Sequence, residues 1–363
     1  MTQRSSMSSS LMEWGKLHSR ARFHLAASGV MNYPLSELPV RIEDIELSGP
    51  NSYGYEPLVK LLAKLCGVRS ECLVHATGTS MANHLAMAAS FDPGDEVLIE
   101  HPTYEPLLTT ASYLGAKIRR FKRQFEDGFR IDLREVADNL TPRTRLIVIT
   151  NLHNPSGVRT DLTKLEQLAE IARDVGARIL VDEVFMDITL SQTTPSLLHL
   201  AEQQFIVTSS LTKSCGLSGL RCGWALAEPT LARRMWRLND LYGVNAAHPA
   251  ERLTMIALEN LTRIGGQARI LLETNRAIVK RFLNSRPDLD AIWPEYGTII
   301  FPRLRGGQVE RLEDILRNKY ETSIVPGRFF EMPEHFRFGF GCETQTLIEG
   351  LDRLSAALDD LAR

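Results

Sequence analysis

The chain has 363 residues, 44% hydrophobic and 24% charged, with a formal net charge of -2. That length suggests two domains rather than one core, and the near-neutral balance argues against a general attraction to nucleic acid or an anionic membrane. No run of about 18 apolar residues occurs, so no transmembrane span is expected. The five cysteines, Cys66, Cys72, Cys215, Cys222 and Cys342, include no Cys-x-x-Cys pair of the kind that binds zinc or runs dithiol chemistry. An odd count with no apolar leader fits a reducing compartment, and the cytoplasm is the expected location.

In chain order, Met1–Ser10 is polar and serine-rich and reads as a loose tail. Cys72–His75 reads as the first strand, followed by His75-Ala76-Thr77-Gly78-Thr79-Ser80 and a strong helix at Met81–Ala89. Free N–H groups at that helix start, with the Thr79 and Ser80 hydroxyls, would make an anion site; an ordinary N-cap uses the same residue types. Strands are expected at Glu96–Glu100, Lys117–Phe121 and Arg145–Thr150. The basic run Arg119-Arg120-Phe121-Lys122-Arg123 reads as a solvated strand end. Asn151-Leu152-His153-Asn154-Pro155-Ser156-Gly157 marks a turn just after a strand. Asp161–Val175 has apolar residues near a 3.6 period, with Asp161 as cap and Gly176 as stop.

The strand Arg178–Asp182 ends on an acid, which must be paired or hydrogen-bonded if buried. After the strand Phe205–Ser209 comes Ser210-Leu211-Thr212-Lys213, then a glycine- and serine-rich loop and Arg221, before a strand at Cys222–Ala227. An isolated lysine after a strand is usually solvated. In an open α/β sheet, however, ligands bind outside the strand C-termini, where a lysine of lowered pKa can form an imine and an arginine can clamp a phosphate. Beyond Ala227, helices are expected at Pro229–Tyr242 and Pro249–Asn284, the second with an interruption at Gly265-Gly266. Two β-like pieces, Gly297–Pro302 and Phe336–Phe340, and helices at Val309–Lys319 and Thr344–Ala362 suggest a smaller α+β domain. A domain boundary within helical sequence is placed near Asn245. Strand–helix–strand alternation argues for an α/β fold with a largely parallel sheet.

Read together, Gly78-Thr79-Ser80, Pro102-Thr103-Tyr104, Asn151-Leu152-His153-Asn154-Pro155-Ser156-Gly157, Asp182-Glu183-Val184-Phe185 and Ser210-Leu211-Thr212-Lys213 before Arg221 resemble the fold-type I pyridoxal-phosphate enzymes, specifically the class I/II aminotransferases. The match runs from about Tyr53 to Arg337. The resemblance implies a large cofactor domain (46–245) with a mostly parallel seven-stranded sheet between helices. It adds a small α+β domain (246–363) joined by an N-terminal arm (1–45).

It further implies pyridoxal 5'-phosphate held as a Schiff base by Lys213, which would also move the proton between Cα and the cofactor. Asp182 would keep the ring nitrogen protonated. Thr79, Ser80, Ser210 and Arg221 would hold the phosphate, Tyr104 would stack on the ring, and Asn154 would donate to the phenolic oxygen and border the substrate. Arg337, pointing away from Phe336 and Phe338, would bind the substrate α-carboxylate. Gly29, in Ser28-Gly29-Val30, would line the site from the arm. In Ser52-Tyr53-Gly54-Tyr55 one tyrosine, Tyr53 fitting better than Tyr55, would reach the phosphate of a partner subunit in a homodimer with shared sites.

One departure stands out: Phe185 occupies a position where the family usually has tyrosine. Without that hydroxyl the phenolic oxygen keeps more charge, so the Lys213 imine is expected to hold its proton to higher pH. Transamination between an amino acid and a 2-oxo acid is the leading expectation. A lyase, decarboxylase or racemase of the same fold is the alternative, with decarboxylation disfavoured by Arg337. An effector-binding regulatory domain is a third, disfavoured because no helix-turn-helix pattern precedes the first motif. Histidinol-phosphate aminotransferases are near relatives in length and in the lysine segment, but no second phosphate clamp is visible.

Overall fold

The computed structural model of the chain describes residues 7–186 and 196–363. Residues 1–6 of the serine-rich start lie outside that range. The rest of it is not a loose tail: helix α1 (Ser10–Leu17) begins there, its first turn capped by Ser9 Oγ, which accepts from the Met12 N–H at 3.2 Å. A short strand β1 (Phe23–His24) and helix α2 (Glu56–Cys66) follow.

The centre of the molecule is one seven-stranded sheet. Its strands are β2 (Leu73–Thr77), β3 (Glu96–His101), β4 (Lys117–Lys122), β5 (Thr144–Thr150), β6 (Arg178–Asp182), β7 (Phe205–Ser210) and β8 (Cys222–Leu226). The order is β2-β8-β7-β6-β5-β3-β4, with β8 antiparallel to both neighbours and the others parallel. Four of the connections between strands carry α-helices: α3 (Gly78–Ser90), α4 (Glu105–Tyr113), α5 (Leu133–Asn139) and α6 (Leu162–Asp174). Helices on both faces explain why the strands read as nearly continuous apolar runs. Within a run the side chains still alternate. Ile147, Ile149, Ile179 and Val181 share one core with Leu58 of α2 and Leu165 of α6, whereas Leu146, Val148 and Leu180 share another with Leu85 of α3 and Leu107 of α4.

The basic run at β4 departs from the expected solvated end. Phe121 and Arg123 are buried, and Arg123 Nη1 meets Glu100 Oε2 at 2.8 Å. The reason is the neighbouring strand, which ends on a buried carboxylate that needs a cation.

Helix α7 (Pro229–Asn239) is shorter than expected, because the Asn239 carbonyl collects the N–H groups of Tyr242, Gly243 and Val244 and closes the helix. Asn245 therefore lies in a non-helical link, not within a helix. The next helical run breaks at Asn260, between α8 (His248–Glu259) and α9 (Leu261–Asn284), and continues unbroken through Gly265-Gly266. Asn260 is the stronger breaker: its backbone N–H reaches the Ala257 and Leu258 carbonyls, and its side-chain amide donates to Ile256 O at 2.8 Å.

The C-terminal part carries small sheets. Strands β9 (Leu289–Asp290) and β11 (Arg303–Leu304) pair, and β10 (Ile299–Ile300) pairs with β14 (Phe336–Gly339). Helix α10 (Val309–Lys319) precedes β12 (Thr322–Ser323), which pairs with β1 of the N-terminal segment. Strand β13 (Val325–Pro326) lies on the other side of β14, and α11 (Thr344–Leu361) closes the chain. Phe336 and Phe338 point into a core with α9, α10 and α11, so Arg337 between them faces the other way, toward the large sheet. Among the described residues no helix is long and apolar enough to cross a membrane.

Candidate active site

Parallel strands bring their C-terminal residues to one edge of the sheet, so Thr150, Asp182 and Ser210 end side by side. Above that edge is a 420 Å³ cavity lined by Gly29, Thr79, Ser80, Tyr104, Asn154, Asp182, Phe185, Lys213, Arg221 and Arg337. Ser210 sits immediately beneath, its Oγ accepting from Thr79 Oγ1 at 2.9 Å and donating to Thr212 Oγ1 at 3.0 Å.

At the floor, Asp182 is buried and held by neutral donors: Asn83 Nδ2 at 2.7 Å and the Val184 N–H at 3.0 Å. Burial pushes its carboxyl above the usual range, while those donors and Lys213 pull the other way. Asn83 is itself fixed by Thr208 Oγ1, 2.6 Å from its amide oxygen. Asn83 was not singled out in the sequence, although it lies four residues beyond Thr79 on α3 and so on the same face. Lys213 reaches into the middle of the cavity, where Nζ donates to Ser28 Oγ at 2.9 Å. Burial, helped by the Arg337 charge, lowers its pKa from 10.5 to about 8. Phe185 is buried in the wall, its ring centre 5.9 Å from Lys213 Nζ.

One end of the cavity is suited to an anion. Helix α3 starts at Gly78 with φ +76°, where a Cβ would lie 2.4 Å from Arg221 Nη2. Only glycine lets the guanidinium lie against the helix start. Gly223 serves the same approach, since a Cβ there would stand 2.5 Å from the Gly78 carbonyl carbon. Arg221 itself takes the left-handed conformation, φ 48°. Its acceptors among the described residues, Ser218 O and Thr77 O, are at 3.4 and 3.5 Å, which leaves most of its donors for a ligand.

The opposite wall carries Arg337, buried, with Nη1 2.8 Å from Asn154 Oδ1, Nε without a partner, and the guanidinium over the Phe330 ring at 5.2 Å. Burial lowers its pKa to about 10. A buried guanidinium that meets no carboxylate among the described residues is a place for an anionic ligand group. Because Arg337 occupies the Asn154 oxygen, the Asn154 amide N–H groups are what that side chain can offer a ligand. Gly29 backs Lys213 closely: a Cβ there would come within 3.0 Å of Lys213 O.

Neither of the two candidate tyrosines lines the cavity. Tyr53 is 55% exposed; its hydroxyl donates to Asp240 at 3.0 Å and its ring lies 5.4 Å from Trp236. Tyr55 packs edge-on against His248 at 5.0 Å, its N–H held by Glu251. A further part of the wall had no sequence signal: Leu11, Met12 and Trp14 of α1, in a segment that reads as a tail and the residues just after it.

A lysine of lowered pKa, a buried carboxylate and an anion cradle, spaced around one cavity, fit the aldehyde, ring nitrogen and phosphate of pyridoxal phosphate. Comparison with known proteins agrees. Residues 45–354 match the family model Aminotransferase class I and II. The chain is 30% identical to capreomycidine synthase of Streptomyces vinaceus, over 95% of this chain and 92% of that protein. It is also 30% identical to a solved PLP-dependent aminotransferase from Streptococcus suis 89-1591, with a TM-score of 0.90 covering 96% and 97% of the two chains. The PLP-dependent cyclase OrfR is 25% identical, with a TM-score of 0.88 covering 98% of this chain and 97% of that one. The chain is therefore a pyridoxal-phosphate-dependent enzyme and belongs to the class I and II aminotransferase family, of fold type I.

Proposed function

We propose that the protein transfers an amino group between an α-amino acid and a 2-oxo acid. The observation that carries this reading is the division of charge in the cavity. Asp182 lies at the floor, Lys213 is central with a pKa near 8, and Arg337 lies opposite with an unfilled Nε. Bound pyridoxal phosphate supplies an electron sink for the charge left at Cα when its proton departs. Asp182 holds the proton on the ring nitrogen, and Asn83 and Val184 orient it for that task. Lys213 would hold the cofactor through its amine, and with its pKa lowered to about 8 it could act as general base toward the Cα proton near neutral pH. Thr79, Ser80, Ser210 and Arg221 hold the phosphate, Tyr104 covers the ring, and Asn154 donates to the phenolic oxygen. Arg337 binds the α-carboxylate through paired hydrogen bonds, which retains that group through the reaction.

A second reading, elimination or ring closure at the same Cα, is supported by the likeness to capreomycidine synthase and a cyclase and by Phe185. The two readings separate in one experiment: single amino acids are added to the holoenzyme and the absorbance of the bound cofactor is followed. Transamination predicts stoichiometric conversion to the amine form with release of a 2-oxo acid. Turnover that leaves the cofactor in its aldehyde form with every substrate contradicts it and favours the second reading.

A cytoplasmic homodimer is part of this proposal. None of the five cysteines is joined in a disulfide. Ile42 and Leu47, 77% and 83% exposed, lie in the stretch leading to Tyr53. Leu241, Tyr242 and Val244, also exposed, follow Asp240, to which Tyr53 is bonded. This apolar surface suits a second copy, whose phosphate Tyr53 would reach. Tyr53 is freer for that task than Tyr55, whose N–H and ring are engaged within the chain.

A further inference from the structure

Ser28, in the segment after β1, lines the cavity beside Lys213, and its Oγ accepts a hydrogen bond from Lys213 Nζ at 2.9 Å. The segment that carries it is fixed by its backbone. The Val30 N–H donates to the Lys213 carbonyl at 2.8 Å, so the segment runs beside the lysine's own main chain. Thr298 Oγ1, just before β10, donates to the Ser28 carbonyl at 2.6 Å. On either side, the Gly339 N–H donates to Leu25 O and the Met31 N–H donates to Gly341 O, both at 2.7 Å. Gly339 and Gly341 leave the segment no slack: a Cβ on either would collide with the carbonyl oxygen of Ala27 or Gly29. These ties give the Ser28 hydroxyl a set place relative to Lys213, so the bond between them is a built contact.

The chemistry of cofactor uptake makes that contact matter. The neutral lysine nitrogen must bond to the aldehyde carbon, while the aldehyde oxygen leaves as water with the two amine hydrogens. A lysine stem is flexible, and of the positions it can give its nitrogen only those facing the aldehyde react. Donation of one N–H to Ser28 Oγ selects among those positions. The acceptor is a hydroxyl, so it orients the amine without holding an extra proton on it as a carboxylate would. Burial completes the arrangement by lowering the lysine pKa to about 8, which leaves a neutral fraction near neutral pH.

We infer that Ser28 is the positioning residue for the Lys213 amine and aims its nitrogen at the cofactor aldehyde, an inference that rests on Lys213 being the residue that holds the cofactor. The test mixes the cofactor-free full chain with saturating pyridoxal 5'-phosphate and follows formation of the Lys213–cofactor link by absorbance. Ser28→Ala should slow that first-order step at least about threefold, the effect of one hydrogen bond. Calorimetry with 4'-deoxypyridoxine 5'-phosphate, which has a methyl group in place of the aldehyde, reads the phosphate and ring contacts alone. Its affinity should stay within about twofold in the variant, because those contacts do not involve the Ser28 hydroxyl. A smaller change in rate overturns the inference, since the hydroxyl then does not aim the amine. A loss of analogue affinity as large as the loss of rate also overturns it, since Ser28 then only supports the fold of the site. Borohydride reduction of the wild type separates the two assignments. A link on another lysine, or none, overturns the role of Lys213 and this inference with it, whereas a Lys213 link formed equally fast in Ser28→Ala overturns this inference alone.

Discussion

Lys213 and Asp182 owe their altered proton affinities to one cause with opposite signs: burial disfavours the charged form of each, lowering the lysine and raising the acid. Both line the same cavity but are buried apart, so that under the proposed function one would meet the aldehyde and the other the ring nitrogen. Phe185 modifies this arrangement. Its ring stands close to Lys213 but has no hydroxyl, so in the proposed arrangement Asn154, whose amide oxygen is already taken by Arg337, would be the one donor of the pair at the phenolic oxygen. A more charged oxygen would hold a proton on the Lys213–cofactor link more firmly. Phe185→Tyr should therefore lower the midpoint of the bound-cofactor absorbance titration by about one pH unit. An unchanged midpoint would show that the hydroxyl is not what sets it.

At the scale of elements, the site is held by a buried chain of contacts across four strands and a turn. Arg123 of the β4 edge pairs with Glu100 of β3, and Glu100 accepts the Thr150 N–H and hydroxyl, both at 2.7 Å, at the end of β5. Thr150 Oγ1 accepts from the Asn154 N–H at 2.8 Å, and Asn154 meets Arg337 of β14. A residue far from the cavity thus positions Asn154 and Arg337. Arg123→Met leaves the Glu100 carboxylate buried and unpaired, and should cost about 3–5 kcal/mol in denaturant unfolding. The double variant with Glu100→Gln should recover part of that loss. A cost under about 1 kcal/mol for the single variant would mean that the pair is solvated, as the basic run alone suggests. Sequence reading could not place Arg123 inside, because its depth is set by a carboxylate on the neighbouring strand, not by local composition.

For the molecule as a whole, what was legible in the sequence depended on range. The seven strands, the capped helix α6 and the residues at strand ends carry local signals: alternation, turn residues and caps. Lys213, Asp182, Asn154 and Thr79 were found that way, and parallel topology then gathers them. Helix α1 has a serine cap, but no local signal marks it as part of the site. What makes it part of the site is its contacts with Glu105 and Glu313, 94 to 299 residues away in sequence. The break at Asn260 was missed because a side chain competing for backbone hydrogen bonds outweighed two glycines. Every assignment above nevertheless turns on one covalent link. Borohydride reduction of the holoenzyme, followed by peptide mass spectrometry, fixes the cofactor to whichever amine holds it. The account predicts a phosphopyridoxyl group on Lys213 alone. A label on another lysine, or none on a protein that retains the cofactor, would contradict it.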